Sequence, residues 1–204
     1  MSIENMLEIE QQYYAKGLTR ICGVDEAGRG PLAGPVCAAA VILPPNLQIP
    51  GLDDSKRLSD KRRRELFPVI QEKALAYSVA MVDHTVIDTI NILQATFLAM
   101  QKAVEGLSVQ LEMVLIDGNR APMFTYPVQT VVHGDSLSAS IAAASILAKV
   151  TRDNWMLEQA EVYPKYGFDI HKGYGTKVHY EALRNYGPCP IHRMTFLKKF
   201  YEHK

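Results

Sequence analysis

Short apolar runs, each stopped by a polar or glycine-rich cluster, divide this chain into strand-sized and helix-sized pieces. Arg20 to Val24 and Val36 to Leu43 suit adjoining strands, and Ala76 to Val82, Met113 to Ile116 and Pro127 to Val132 repeat the pattern. Helical periods lie between them. Ser59 is placed to cap a helix running to about Lys73, and Ile90, Leu93, Phe97, Met100 and Val104 fall on one face by three- and four-residue steps. From Ser138 a long helix is expected, and its Ala139, Ala142, Ala143, Ala144 and Ala148 permit close packing on a sheet. Strands alternating with helices predict an α/β domain with a mixed sheet flanked by helices. After Tyr163-Pro164 the segments become short, polar and aromatic, with a helix from Thr176 to about Tyr186. With no repeat, low-complexity tract or linker before it, this C-terminal lobe should pack on the core.

Three of the predicted strands end in acids. Arg20 to Val24 runs into Asp25-Glu26-Ala27-Gly28-Arg29-Gly30, Met113 to Ile116 into Asp117-Gly118-Asn119, and Pro127 to Val132 into His133-Gly134-Asp135. One such ending is read as well by a turn with a helix cap. In open α/β sheets, however, the functional crevice lies beyond the carboxyl ends of the strands, so three strand-end acids on neighbouring strands share one cleft. The glycines after Glu26 are expected to break side-chain alternation, so that Asp25 and Glu26 converge on one spot.

Composition narrows the setting. The formal net charge is zero, with 22 Lys and Arg against 22 Asp and Glu. From Ile146 onward ten basic residues face six acidic ones, so the basic excess is C-terminal. Lys56, Arg57 and Lys61 to Arg64 form a second basic cluster, in which Lys56 is the candidate phosphate contact and Arg62 to Arg64 read better as a solvated helix face. Cys22, Cys37 and Cys189 match no zinc or redox spacing and read as buried thiols. His171, His179 and His192 likewise fit no metal signature. No Gly-x-Ser-x-Gly elbow supports a serine nucleophile. The longest uncharged apolar run, Val36 to Leu43, is too short to span a bilayer, and a cytoplasmic protein without membrane contact is expected.

Taken together, Asp25-Glu26-Ala27-Gly28-Arg29-Gly30, Asp54-Ser55-Lys56, Ile116-Asp117-Gly118-Asn119, Gly134-Asp135-Ser136, Ala142 to Asp153 and His171-Lys172-Gly173-Tyr174-Gly175-Thr176-Lys177 resemble bacterial ribonuclease HII, the type 2 ribonuclease H. The blocks stand in family order from about Arg20 to Phe196. The chain departs from the common pattern at His133, where many members carry lysine, and at Thr195, where serine is frequent.

The resemblance implies a ribonuclease H-like domain over residues 19–204, with a catalytic core over about 19–160 and a C-terminal helical substrate-binding segment over about 161–204. It implies metal binding and catalysis by Asp25, Glu26, Asp117 and Asp135, with Mn2+ or Mg2+ as cofactor. Such hard ions prefer oxygen ligands, and two of them about 4 Å apart can activate water and neutralise the leaving oxygen of a phosphodiester. Substrate contacts are implied for Gly28, Arg29, Gly30, Lys56, Lys172, Tyr174, Thr176 and Lys177. The implied substrates are the RNA strand of RNA-DNA hybrids and duplex DNA carrying embedded ribonucleotides, nicked on the 5′ side to leave 3′-hydroxyl and 5′-phosphate ends. Discrimination must then rest on the 2′-hydroxyl. A monomer is expected, with the tail near Phe200 to Lys204 a candidate contact for a replication clamp. The alternatives are another nuclease of this fold, such as a DNA junction resolvase, and a non-catalytic hybrid-binding protein.

Overall fold

The predicted apolar runs become strands β1 (Ile21–Ala27), β2 (Val36–Ile42), β3 (Ala76–Val82), β4 (Met113–Asp117) and β5 (Val128–Val131). The structure, a computed structural model, describes residues 6–202. The sheet order is β3-β2-β1-β4-β5, antiparallel from β3 to β1 and parallel from β1 through β4 to β5. Helices α1 (Glu8–Tyr14), α2 (Asp60–Lys73), α3 (His84–Glu105) and α4 (Ala139–Val162) accompany the sheet, and α5 (Phe168–His171), α6 (Lys177–Tyr186) and α7 (Met194–Glu202) follow it.

Strand alternation sorts the core into two layers. Cys22, Val24, Ala38 and Ala40 face α3 through Ala95, Ala99 and Ala103, whereas Cys37, Ala39 and Val41 face α2 and α4 through Leu66, Ile70 and Ala143. β1 is central, with its residues from Ile21 to Asp25 buried. α4 crosses it at Gly23, where an added Cβ would lie 2.1 Å from the Ser140 carbonyl carbon and 2.3 Å from the Ile141 nitrogen. The alanines of α4 therefore serve a backbone-to-backbone approach, as the sequence suggested. α5 to α7 build a satellite core from Phe168, Leu183, Ile191 and Leu197, closed by Leu32, Ala33 and Met156 of the main body. Among the described residues no helix is long and apolar enough to cross a membrane, and all three cysteines are buried and unbridged.

Ser59 caps α2 as expected, accepting from the Arg62 amide at 3.2 Å, and Thr176 caps α6. The expected face of α3 is met in part, with Met100 and Val104 buried in the core and Ile90 and Phe97 packed against it. The helix begins at His84 under an Asp83 cap and breaks at Asn91 (φ 67°, ψ 165°), whose side chain accepts from the Leu93 and Gln94 amides and starts the second half afresh. Small residues Ala95, Ala99 and Ala103 then lie on the sheet, while Leu93 and Phe97 are displaced to the side and only partly buried. α1 was not signalled by the acidic N-terminal sequence. Its Glu10 is buried against the start of α4, accepting from the Ser138 hydroxyl at 2.6 Å and the Ser140 amide at 3.0 Å.

Because the α4 backbone leaves no room at Gly23, Gly23→Ala should destabilise the fold by about 3 kcal/mol or more. Urea unfolding measures this, and a variant with unchanged midpoint would show that α4 does not approach β1 so closely.

Candidate active site

The parallel pairing of β1 with β4 sets Val24 beside Ile116, so the next residue of each strand, Asp25 and Asp117, emerges at the same end of the sheet. Asp117 in turn lies beside Val131, and the chain leaving β5 turns through a left-handed His133 (φ 57°) into a single 3₁₀ turn, Gly134–Ser136. The Gly134 amide donates to Asp117 Oδ1 at 2.7 Å, which draws Asp135 in. One carboxylate oxygen from each of Asp25, Asp117 and Asp135 falls within 4.8 Å of the others. An oxygen-only donor set of this kind suits a hard divalent cation.

Glu26 corrects one expectation. β1 continues to Ala27, so alternation is kept: Asp25 shares the α4 side with Gly23, and Glu26 shares the α3 side with Val24. The two acids leave opposite faces of one strand, yet both line the smaller of two cavities at the site, and Glu26 is outside the tight trio. It reaches Asp117 from the other side, in a cavity of about 300 Å³ that it lines with Arg29, Phe97 and Asp117. Arg29 pairs with it at 3.3 Å.

Burial, and then the charges of Glu26 and Asp117, push the Asp25 carboxyl well above the usual carboxylate range. Two groups work against this, the Glu26 amide, which donates to Asp25 Oδ1 at 2.7 Å, and the Ser145 hydroxyl of α4. Ser145 meets Ser55 at 2.6 Å, tying the Asp54-Ser55-Lys56 loop to the site. Lys56 Nζ then donates to Asp135 Oδ2 at 2.8 Å, and this bond raises the lysine above its ordinary range. Arg63 holds the same loop by donating to the carbonyls of Ser55 at 2.7 Å and Leu58 at 2.5 Å, while Arg64 pairs with Asp60. These arginines are spent on structure, and Arg63, with its side chain 13% exposed, is not part of the solvated face expected of Arg62 to Arg64.

A second cavity, about 140 Å³, joins the acids to the Gly28-Arg29-Gly30 loop. Asp25, Gly28, Lys56, Lys149 and Tyr174 line it, and a Cβ at Gly30 would touch the Tyr174 ring at 3.6 Å. Tyr174 is 42% exposed, so its ring is available to a ligand. Lys149 Nζ stands 5.9 Å from the ring centre.

With the acids and this cleft in view, comparison with known proteins is decisive: the family model for ribonuclease HII matches residues 22–199. The chain belongs to the ribonuclease HII family. It is 57% identical to ribonuclease HII of Endomicrobium trichonymphae over 193 residues, covering 94% of this chain and 92% of that protein. It is 54% identical to ribonuclease HII of Caldicellulosiruptor bescii over 195 residues, 96% and 95% of the two chains. The crystal structure of ribonuclease H2 from Pyrococcus horikoshii OT3 superposes with a TM-score of 0.74 at 26% identity, over 90% of this chain and 98% of that one. The α/β ribonuclease H-like fold is thus shown, and the protein is a ribonuclease H.

Other candidate residues of this ribonuclease are placed less directly. Lys172, in a left-handed conformation (φ 50°), turns its ammonium back onto the Asp169 carbonyl of α5 and lines neither cavity. The Thr176 hydroxyl accepts from the His179 amide as the cap of α6, and Lys177 is exposed near Glu181. His133 is exposed beside the acids. His171, His179 and His192 are buried, and burial pushes the latter two down to about 4, so they are neutral supports. His179 Nδ1 donates to the Tyr174 carbonyl at 2.9 Å, leaving Nε2 to accept from His192 Nε2 at 2.9 Å, and His192 Nδ1 accepts from the Cys189 amide. Sequence spacing gave no sign of this relay beneath Tyr174.

An acid whose pKa is raised by folding favours the folded state at low pH and costs stability as pH rises from about 4 through its folded pKa. The metal-free enzyme should therefore lose stability over that range, and Asp25→Asn should melt about 3 °C or more above it near pH 8. The gap should close towards about pH 4. Calorimetry in chelator tests this, and equal melting near pH 8 would contradict the burial of an ionised Asp25.

Proposed function

We propose that Asp25, Asp117 and Asp135 hold Mg2+ or Mn2+, with Glu26 completing the set from the opposite face of β1, and that the enzyme hydrolyses the RNA strand of RNA-DNA hybrids there. The carrying observation is the meeting of three carboxylates within 4.8 Å at the mouth of a cleft whose other wall is Gly28, Lys56 and Tyr174. When bound, the metal supplies the charge that activates water and neutralises the leaving oxygen of a phosphodiester. The protein's own groups bind and orient. Lys56 holds Asp135 in place and lies where a substrate phosphate would sit, and the 2.7 Å amide contact from Gly134 fixes the Asp117 carboxylate.

Ribose recognition is assigned to the Gly28-Arg29-Gly30 loop, whose missing Cβ atoms let backbone approach a sugar, and to the Tyr174 ring packed against it. This supports incision of duplex DNA on the 5′ side of an embedded ribonucleotide, leaving 3′-hydroxyl and 5′-phosphate ends. Residues 161–204 act as the substrate-binding segment, with Lys177 and Thr176 at the start of α6 and Lys172 before it as phosphate contacts. Lys172 must leave the Asp169 carbonyl to serve. The protein works as a cytoplasmic monomer. A clamp contact is placed near residues 200–204, where Phe200 stacks on Tyr180 at 5.4 Å; residues 203 and 204 lie outside the described ones.

The deciding experiment is incision of a duplex with one ribonucleotide, with Mg2+, Mn2+ or chelator. A metal-dependent nick on its 5′ side is expected. Cleavage of all-DNA junctions would favour a resolvase, and binding without turnover a hybrid-binding protein.

Two substitutions separate cutting from reading. Asp117→Asn should lower turnover about a hundredfold or more while hybrid binding survives. Near-normal turnover at low Mg2+ would remove Asp117 from the site. Tyr174→Ala should cost roughly 5 to 150-fold on a single-ribonucleotide duplex, the loss of a stacking contact, with Tyr174→Phe milder and continuous hybrids less affected. Equal slowing of both substrates would make Tyr174 a packing residue.

A further inference from the structure

Arg193 and Arg152 are the largest fully buried side chains in the described protein, and neither forms a salt bridge there. A guanidinium has five N–H donors. In Arg193 all five are matched to backbone carbonyls: Nε to Gly34 at 2.9 Å, Nη1 to Arg29 at 3.0 Å and Pro31 at 2.8 Å, Nη2 to Gly28 at 2.6 Å and Pro35 at 3.0 Å. Arg152 stands behind it, donating to Pro35, Ala33 and Lys172.

The direction of these bonds matters. In a trans peptide the C=O of one residue and the N–H of the next point opposite ways. With the Gly28 and Arg29 carbonyls drawn down onto Arg193, the Arg29 and Gly30 amides point up and outward. Neither finds an acceptor among the described residues, and both residues are exposed. The same rule applied to Pro31 sends the Leu32 amide to the Gly173 carbonyl at 2.8 Å, next to Tyr174. Burial and the neighbouring Arg152 charge press the Arg193 guanidinium downward from its ordinary range. A charge kept in such a place without a carboxylate is costly for packing alone.

We propose that Arg193 is a positioning residue for substrate discrimination, turning the Arg29 and Gly30 amides out as paired donors for the ribose and its phosphate. The inference rests on the reading of the Gly28-Arg29-Gly30 loop given above. Lysine at this place has three donors on a point charge and cannot gather five carbonyls. The loop then loses its fixed face.

The test compares Asp117→Asn with Asp117→Asn, Arg193→Lys, so that neither protein cuts, and measures affinity for a duplex with one ribonucleotide and for the same duplex all in DNA. The ratio of the two affinities should fall about tenfold in the double variant, with the all-DNA affinity unchanged. A purely structural role would lower both affinities together, and that result, or an unchanged ratio, overturns the proposal. If the single variant shows no ribonucleotide preference, the reading of the loop itself fails, which is a separate outcome. Should Arg193→Lys not fold, amide hydrogen exchange in the Asp117→Asn protein decides. The Arg29 and Gly30 amides should exchange fast when free and slow with the ribonucleotide duplex but not with DNA, and protection already present in the free protein would refute the idea.

Discussion

Electrostatic repulsion among acids that packing does not allow to separate governs the mouth of the sheet. The β1 to β4 pairing and the Gly134 turn leave Asp25, Asp117 and Asp135 within 4.8 Å of one another, two of the three buried. Each local feature answers that repulsion. The amides of Glu26 and Gly134 donate to Asp25 and Asp117, Ser145 turns its hydroxyl to Asp25, and Lys56 reaches in from solvent to Asp135. These groups come from four separate segments, so the acids determine where the segments lie as much as the segments hold the acids. A divalent cation held as proposed would answer the same repulsion more completely, and would thereby couple metal binding to local order.

The cations buried beneath the loop follow the opposite rule. Arg193 and Arg152 lie in the same half of the molecule as the acids, yet backbone carbonyls satisfy them. Had they paired with Asp25 or Asp117, both charges would be quenched, the metal would have to compete with a guanidinium, and the loop carbonyls would be free to turn either way. Keeping the two charge systems apart preserves negative potential in the cleft and a fixed polarity in the backbone above it.

Which parts of this were legible in the sequence follows from the range of the interactions. The strand runs, the Ser59 cap, the start of a helix near Thr176 and the small face of α4 are local patterns, and the structure has them close to where periodicity and capping chemistry put them. The convergence of Asp25, Asp117 and Asp135 was readable because each lies at or just beyond the same end of neighbouring strands, Asp25 near the end of β1, Asp117 at the end of β4 and Asp135 in the turn after β5. Glu26 does line the site, but by a route that was misread, because the glycines after it were expected to break an alternation that in fact lasts to Ala27. The α3 break hinges on Asn91, a residue tolerant of the left-handed region, and no apolar period reveals it. Glu10, Arg193 and the His179 to His192 relay act over more than a hundred residues or inside a buried cluster, and nothing local marks them.

Cutting and reading are consequently built from different parts of the chain and joined at one short place. The acids depend on the sheet and α4. The surface proposed to read the substrate rests on the C-terminal segment, through Arg193 under the loop and through His192, His179 and the Tyr174 carbonyl under the ring. The two meet just past the end of β1, where the chain passes from Asp25 and Glu26 through Ala27 into Gly28 and Arg29. Any displacement of that loop by the distant C-terminal segment therefore reaches the acids through a few covalent bonds, and a sugar seated on the loop as proposed would fix the neighbouring phosphate against them. On the proposed reading, this chain continuity is what would let recognition of a ribose set the alignment of the bond to be cut.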